Sequence, residues 1–174
     1  MKVNLFQLFK ASLMEPKKQA AVRIMTIGKI LRFIFVFILF LTAIAFIELA
    51  LGLNDTTSDI DGLLQYVEEI EWLLYPFAFV FLFVSTTLYH FIKISIFAMI
   101  GLAFLKWKKR RGEYRHLWRT AALSVTIPTL LSFLLSFAVS SFWVSFIASL
   151  LTLVYLNFAV SYYPKQPPAQ KNKA

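Results

Sequence analysis

Hydrophobic positions in this chain fall into long runs, without the alternation of a strand or the spaced stripe of a soluble helix. The first run, Phe33 to Leu53, is broken only by Glu48. A helix over it rises roughly 31 Å, enough to cross a hydrocarbon core. The second, Leu73 to Leu105, would rise roughly 50 Å. That is long for one perpendicular span and short for two spans with a turn. Two spans would also move the basic stretch that follows to the opposite side of the membrane, so one tilted or overhanging helix is predicted. Pro76, near its outer end, is tolerated as an early-helix residue or a kink. From Thr120 to Pro164 no residue is charged. This stretch accommodates two spans, about 120–139 and 142–162, with a tight turn near Ser140 and Ser141. Pro128 should kink the third span by removing the bond to the Ser124 carbonyl, with the Ser124 and Thr126 hydroxyls near enough to satisfy freed backbone.

Before the first span, Leu5, Leu8, Phe9 and Leu13 recur at helical spacing, beside Phe6. They predict an amphipathic helix over 4–14 in the headgroup plane, ended by Pro16. Ala43-Ile44-Ala45 resembles a leader cleavage site, but the charged region before the apolar run is too long and the run continues past it, so no cleavage is expected. The expected fold is an all-α integral membrane protein: one membrane domain over 1–163, with spans at about 33–53, 73–105, 120–139 and 142–162 arranged as two hairpins. The tail 164–174, rich in Lys and Pro, is expected to be disordered.

Charge orients this arrangement. Seven basic residues lie between Lys106 and Arg119: Lys106, Lys108, Lys109, Arg110, Arg111, Arg115 and Arg119. Asn54 to Trp72 holds six acidic residues and no basic one. The positive-inside rule therefore places the basic loop and both termini in the cytoplasm and the acidic loop outside, in a bacterial cytoplasmic membrane. Trp107, Tyr114 and Trp118 suit headgroup-level anchors. Within the acidic loop, Ser58 and Asp61 have capping-box spacing before a short amphipathic helix. The net charge of +9 clusters beside apolar spans and not along a soluble face, which points to anionic lipid headgroups as partners and away from nucleic acid.

Composition narrows the chemistry. With 59% hydrophobic residues and 19 Phe in 174 positions, a soluble domain could not hide its apolar surface. The absence of Cys excludes disulfides and thiolate metal sites. The two His and one acidic loop make no metal site, and no cofactor is expected. No nucleophile elbow, zinc-protease motif or phosphate loop occurs, so an enzyme is not expected. Polar residues inside spans are the remaining candidates. Glu48, His90 and Lys93 form one: measured up from Phe33 and Leu105, Glu48 and His90 each lie roughly 22 Å deep and Lys93 roughly 18 Å. Glu48 is therefore expected to face His90 or Lys93. Asn157, in the inner third of the last span, is expected to bond across helices.

Three segments resemble one bacterial family, domain of unknown function 1189: Asn4–Phe33, with the F-x-x-S-L-x-x-P-K pattern at Phe9–Lys17; Tyr114–Phe133, with Thr126 to Pro128; and Leu153–Lys165, with its Pro164-Lys165 exit. The resemblance implies a multi-pass membrane protein without established activity. Some members are labelled maltodextrin-utilisation proteins, and the family is distantly similar to Yip1-type interaction proteins. Relatives carry a longer outer segment than the roughly 18 residues here, and the resemblance transfers no functional residue. Two functions follow as expectations. One is an accessory or regulatory partner of another membrane protein, linked to sugar uptake. The other is a small transporter or channel subunit with a polar path at Glu48, His90 and Lys93.

Overall fold

The structure, a computed structural model, describes residues 5–14, 16–58, 63–136 and 142–166. Helices account for nearly all of them: α1 (Leu5–Met14), α2 (Pro16–Ala21), a 3-10 turn (Val22–Ile24), α3 (Ile27–Ser58), α4 (Leu63–Trp107), α5 (Tyr114–Ser136) and α6 (Phe142–Ser161). Among the described residues, four helical stretches are long and apolar enough to cross a membrane: Ile27–Gly52, Glu69–Trp107, Tyr114–Leu135 and Phe142–Ser161. Asp61, with its capping-box spacing, and the turn at Ser140 and Ser141 lie outside the described residues.

The ambiguous second run is one continuous helix. α4 holds 45 residues with Pro76 inside it, a length of roughly 68 Å. Pro76 withholds a bond from the carbonyl of Trp72, yet the helix passes through it.

The chain divides into two units. One comprises 34–92, and the other 1–33 with 93–174.

In the 34–92 unit aromatic rings join α3 to α4. Phe35 meets Phe91 at 5.8 Å between centroids, Phe37 meets His90 at 5.5 Å, and Phe46 meets Tyr75 at 6.0 Å and Phe79 at 5.5 Å. The contacts climb α3 as they descend α4. Edge-on and tilted geometries of this kind suit the ring quadrupoles.

The larger unit is built around α5. Leu117, Ala121, Ala122 and Val125 are fully buried there, as are Leu156 and Ala159 of α6. Small residues let these helices approach closely, which is how helices associate when lipid removes the hydrophobic drive between them. Gly101 of α4 shows the same economy: a Cβ there would stand 3.0 Å from Leu117 and 3.3 Å from Leu156. α1 docks on α5 and α2. Leu8, Ala11 and Ser12 are buried, while Phe6 is 75% exposed. Leu8, on the apolar face expected at the headgroups, is covered by protein, while Leu13 of that face is 41% exposed. Pro16 begins α2, where its missing N–H costs nothing.

The loop between α4 and α5 is shorter than its basic composition suggested. α4 continues to Trp107 and α5 begins at Tyr114, so Lys106, Arg115 and Arg119 are helical. α4 ends in a two-bond cap. Arg110 N–H donates to the Leu105 carbonyl at 2.9 Å and Lys109 N–H to the Lys106 carbonyl at 3.1 Å. Lys109 takes the left-handed conformation, φ 50°, which this cap requires and which usually falls to glycine. At the start of α5, the His116 Nδ1 accepts the Glu113 N–H at 3.3 Å, half of a reciprocal cap.

The first tail residues, Pro164 to Gln166, are bonded to the loop between α4 and α5. Arg111 N–H donates to the Pro164 carbonyl at 2.7 Å and Gln166 N–H to the Lys109 carbonyl at 3.0 Å, forming a short antiparallel bridge. The rest of the tail lies outside the described residues. The turn around Pro128 also differs from expectation. Ser124 donates to Gln19 Oε1 and lies 3.1 Å from the Thr120 carbonyl, and Thr126 donates to the Ala122 carbonyl. Neither hydroxyl serves the carbonyl that Pro128 leaves unbonded, because each is already committed one turn earlier or to α2.

Candidate functional site

The expected intramembrane cluster does not assemble as predicted. His90 is 1% exposed and packs on Phe37. Glu48 is exposed and lies eleven residues further along α3 than Phe37, roughly 16 Å along the axis. The depth match assumed that Phe33 and Leu105 mark one level. Instead Phe35 stands beside Phe91, fourteen residues short of Leu105, so α4 was measured from the wrong end point by roughly 20 Å. Lys93, in the other unit, donates to Thr129 Oγ1 at 3.0 Å. A hydroxyl inside an apolar segment lowers the cost of keeping an ammonium there. Asn157 does not bond across helices through its side chain. Among the described residues its buried Oδ1 has no hydrogen-bond partner, and the bond that crosses between elements uses its backbone carbonyl, which accepts from Lys108 Nζ at 2.7 Å.

What the structure assembles instead is a buried polar knot in the larger unit, and most of its members escaped the sequence reading. Gln19, fully buried on α2, is its hub. Its Nε2 donates to the Ser12 carbonyl at 3.1 Å, and its Oε1 accepts from Ser124 at 3.0 Å. These bonds tie α1, α2 and α5 together, and they satisfy an amide that would otherwise be costly to bury. Thr120 continues the knot, its hydroxyl 2.7 Å from that of Tyr163. Tyr163 also reaches the His116 carbonyl at 3.1 Å. Burial pushes the Tyr163 phenol above its ordinary pKa, against the opposing pull of the Thr120 bond and the charges of Arg23 and Arg119. It therefore stays a protonated donor near neutrality. One signal was legible beforehand: Thr120 and Ser124 stand four apart, a polar stripe at the end of an otherwise apolar span.

Cations close the knot. The Arg23 guanidinium lies 4.9 Å over the Tyr163 ring, and Arg119 Nη1 donates to the Arg23 carbonyl at 2.8 Å. Arg110 donates to the Tyr163 carbonyl at 2.7 Å. Lys108 donates to Ser161 Oγ at 2.6 Å as well as to the Asn157 carbonyl, placing a cation at the negative end of α6. Desolvation, then the charge of Arg110, lowers the Lys108 pKa. The basic stretch thus splits in two. Lys108, Arg110 and Arg119 face inward and hold structure, whereas Lys106, Lys109, Arg111 and Arg115 are exposed. Arg115 pairs with Glu113 at the surface. Among the described residues no group of His, Asp or Glu is placed to hold a metal ion.

Residues 52–160 match the family model described as Protein of unknown function (DUF1189), and the chain belongs to that family. No curated protein and no solved structure matches it.

Proposed function

We propose that this family member is a non-enzymatic accessory or regulatory protein of a bacterial cytoplasmic membrane. Its four helices cross as two hairpins with both termini inside, and its basic end binds another membrane protein. The observation that carries the reading is the order of that basic end. The loop is fixed by the cap at Lys109 and by its bridge to Pro164 and Gln166. Lys108 and Arg110 anchor it from within. Lys106, Lys109 and Arg111 are therefore presented on a preorganised surface, which lowers the entropy cost of docking an acidic partner. The neutral polar side chains of the knot, Gln19, Ser124, Thr120 and Tyr163, are taken up by structural bonds, which favours a binding role over catalysis. The sugar-uptake association implied by the family resemblance makes a sugar transporter the first partner to seek.

The test is purification of the full chain from its native membrane in mild detergent, wild type beside a Lys109→Glu, Arg111→Glu variant. A stoichiometric membrane protein recovered with the wild type and lost with the variant is expected. Recovery alone, or a partner indifferent to the charge reversal, overturns the reading.

The alternative of a small transporter or channel subunit draws on Lys93, whose ammonium bonds Thr129 within an apolar segment. It would predict ion or solute flux in proteoliposomes that Lys93→Met abolishes.

A further inference from the structure

Arg23 and Arg119 share one corner of the knot, and their hydrogen bonding is incomplete. Arg119 Nη1 bonds the Arg23 carbonyl, and Arg23 lies on the Tyr163 ring. Yet Arg23 Nη1 and Arg119 Nε are buried without a hydrogen-bond partner among the described residues. A guanidinium carries five donors and no acceptor, and a buried donor left unmade is costly. The two cations also repel each other. Among the described residues the ion pair shown is Arg115 with Glu113, at the surface, so no described carboxylate neutralises the corner. The charged groups around the corner are Glu113, which pairs with Arg115, and the cations Arg115 and Arg110, the latter on the Tyr163 carbonyl.

The geometry points to a binding site for a phosphate group at Arg23 and Arg119, with Tyr163 as its floor. Paired guanidinium forks match the oxygens of phosphate in plane and spacing, and would satisfy the orphaned donors while cancelling the repulsion. Both side chains are only half-buried. The oxyanion reaches them from their open side, and Arg23 turns to meet it, since among the described residues its guanidinium is held by ring stacking on Tyr163. The surrounding positive field raises the local concentration of anions. The phosphate of an anionic phospholipid headgroup and free inorganic phosphate share this chemistry.

The test uses full-length protein purified in detergent and stripped of lipid. Thermal stability is titrated with inorganic phosphate in one arm and with phosphatidylglycerol in mixed micelles in the other. The wild type is compared with Arg23→Gln, Arg23→Lys and, as a surface control, Arg111→Gln. Arg23 is the variant of choice because the bond from Arg119 goes to its backbone, which substitution leaves in place. Saturable stabilisation of the wild type is expected, weakened about 10-fold or more by Arg23→Gln. Arg23→Lys, which keeps the charge and loses the fork, should weaken it too, and Arg111→Gln should weaken it less than about 3-fold. Saturation by inorganic phosphate assigns a soluble ligand, and saturation by phosphatidylglycerol alone assigns a lipid headgroup. No saturable effect in either arm overturns the site. So does equal weakening by Arg111→Gln, which would mean diffuse surface attraction. A Glu15→Gln variant completes the set, because Glu15 lies outside the described residues. If it raises phosphate affinity about 10-fold or more, that carboxylate fills the corner and the proposal falls.

Discussion

The hydroxyls of Tyr163 and Thr120 stand 2.7 Å apart in the buried part of the larger unit. This contact joins the end of α6 to the first turns of α5. Tyr163→Phe keeps the ring under Arg23 but removes a hydroxyl shared with Thr120 and the His116 carbonyl. A loss of about 1–3 kcal/mol is expected, as for a buried polar group deprived of its partner. The thermal midpoint in detergent measures it, and no change would place the hydroxyl pair outside the stabilising core.

Gly112 lies against the same ring. A Cβ there would come within 3.0 Å of Tyr163 Cδ1 and Cε1 and 2.9 Å of Leu105 Cδ1. Gly112→Ala should therefore cost about 1–3 kcal/mol through overpacking. Combining it with Leu105→Ala, which clears one of the two neighbours, should cost less than the sum of the two single changes.

Lys109 offers the opposite sign. Its φ of 50° strains any residue with a Cβ, and the cap uses only its backbone. Lys109→Gly should stabilise by about 1 kcal/mol, and Lys109→Val should destabilise by at least as much. If both variants unfold at the wild-type temperature, the loop does not hold this conformation in solution.

Gln19→Ala removes the link from α2 to Ser12 and Ser124. The bundle should survive while α1 loosens. Limited proteolysis reports this directly: cleavage before the 3-10 turn should accelerate in Gln19→Ala relative to wild type, with the remaining helices protected. Equal rates would show that apolar contacts through Leu8 and Ala11 suffice.

The register of α3 against α4 is testable at Phe37 and Glu48. Phe37 is 6% exposed and packs on His90, so Phe37→Ala should cost about 3–5 kcal/mol. Exposed Glu48 predicts that Glu48→Gln shifts the midpoint by no more than about 2 °C. A severe loss with Glu48→Gln would restore the ion pair that the sequence suggested.

The sequence by itself determined the class and the elements. Run length and the missing charge between Thr120 and Pro164 dictate helices long enough to span a bilayer, because a lipid-exposed backbone must satisfy its own hydrogen bonds. It also located the basic stretch from Lys106 to Arg119, and the family resemblance was legible in its motif order. Tertiary structure alone decided which residues meet. Depth along α4 could not be counted from Leu105, because hydrophobicity does not say how far a 45-residue helix overhangs its neighbour. Gln19, an ordinary polar residue in a basic segment, becomes the hub of a buried knot only because α2 folds back onto α5. Arg23 and Tyr163, separated by 140 positions, stack only because the chain's two ends pack on one helix. Periodicity reports which face of one helix is apolar, and it carries no information about which distant polar groups that packing brings together.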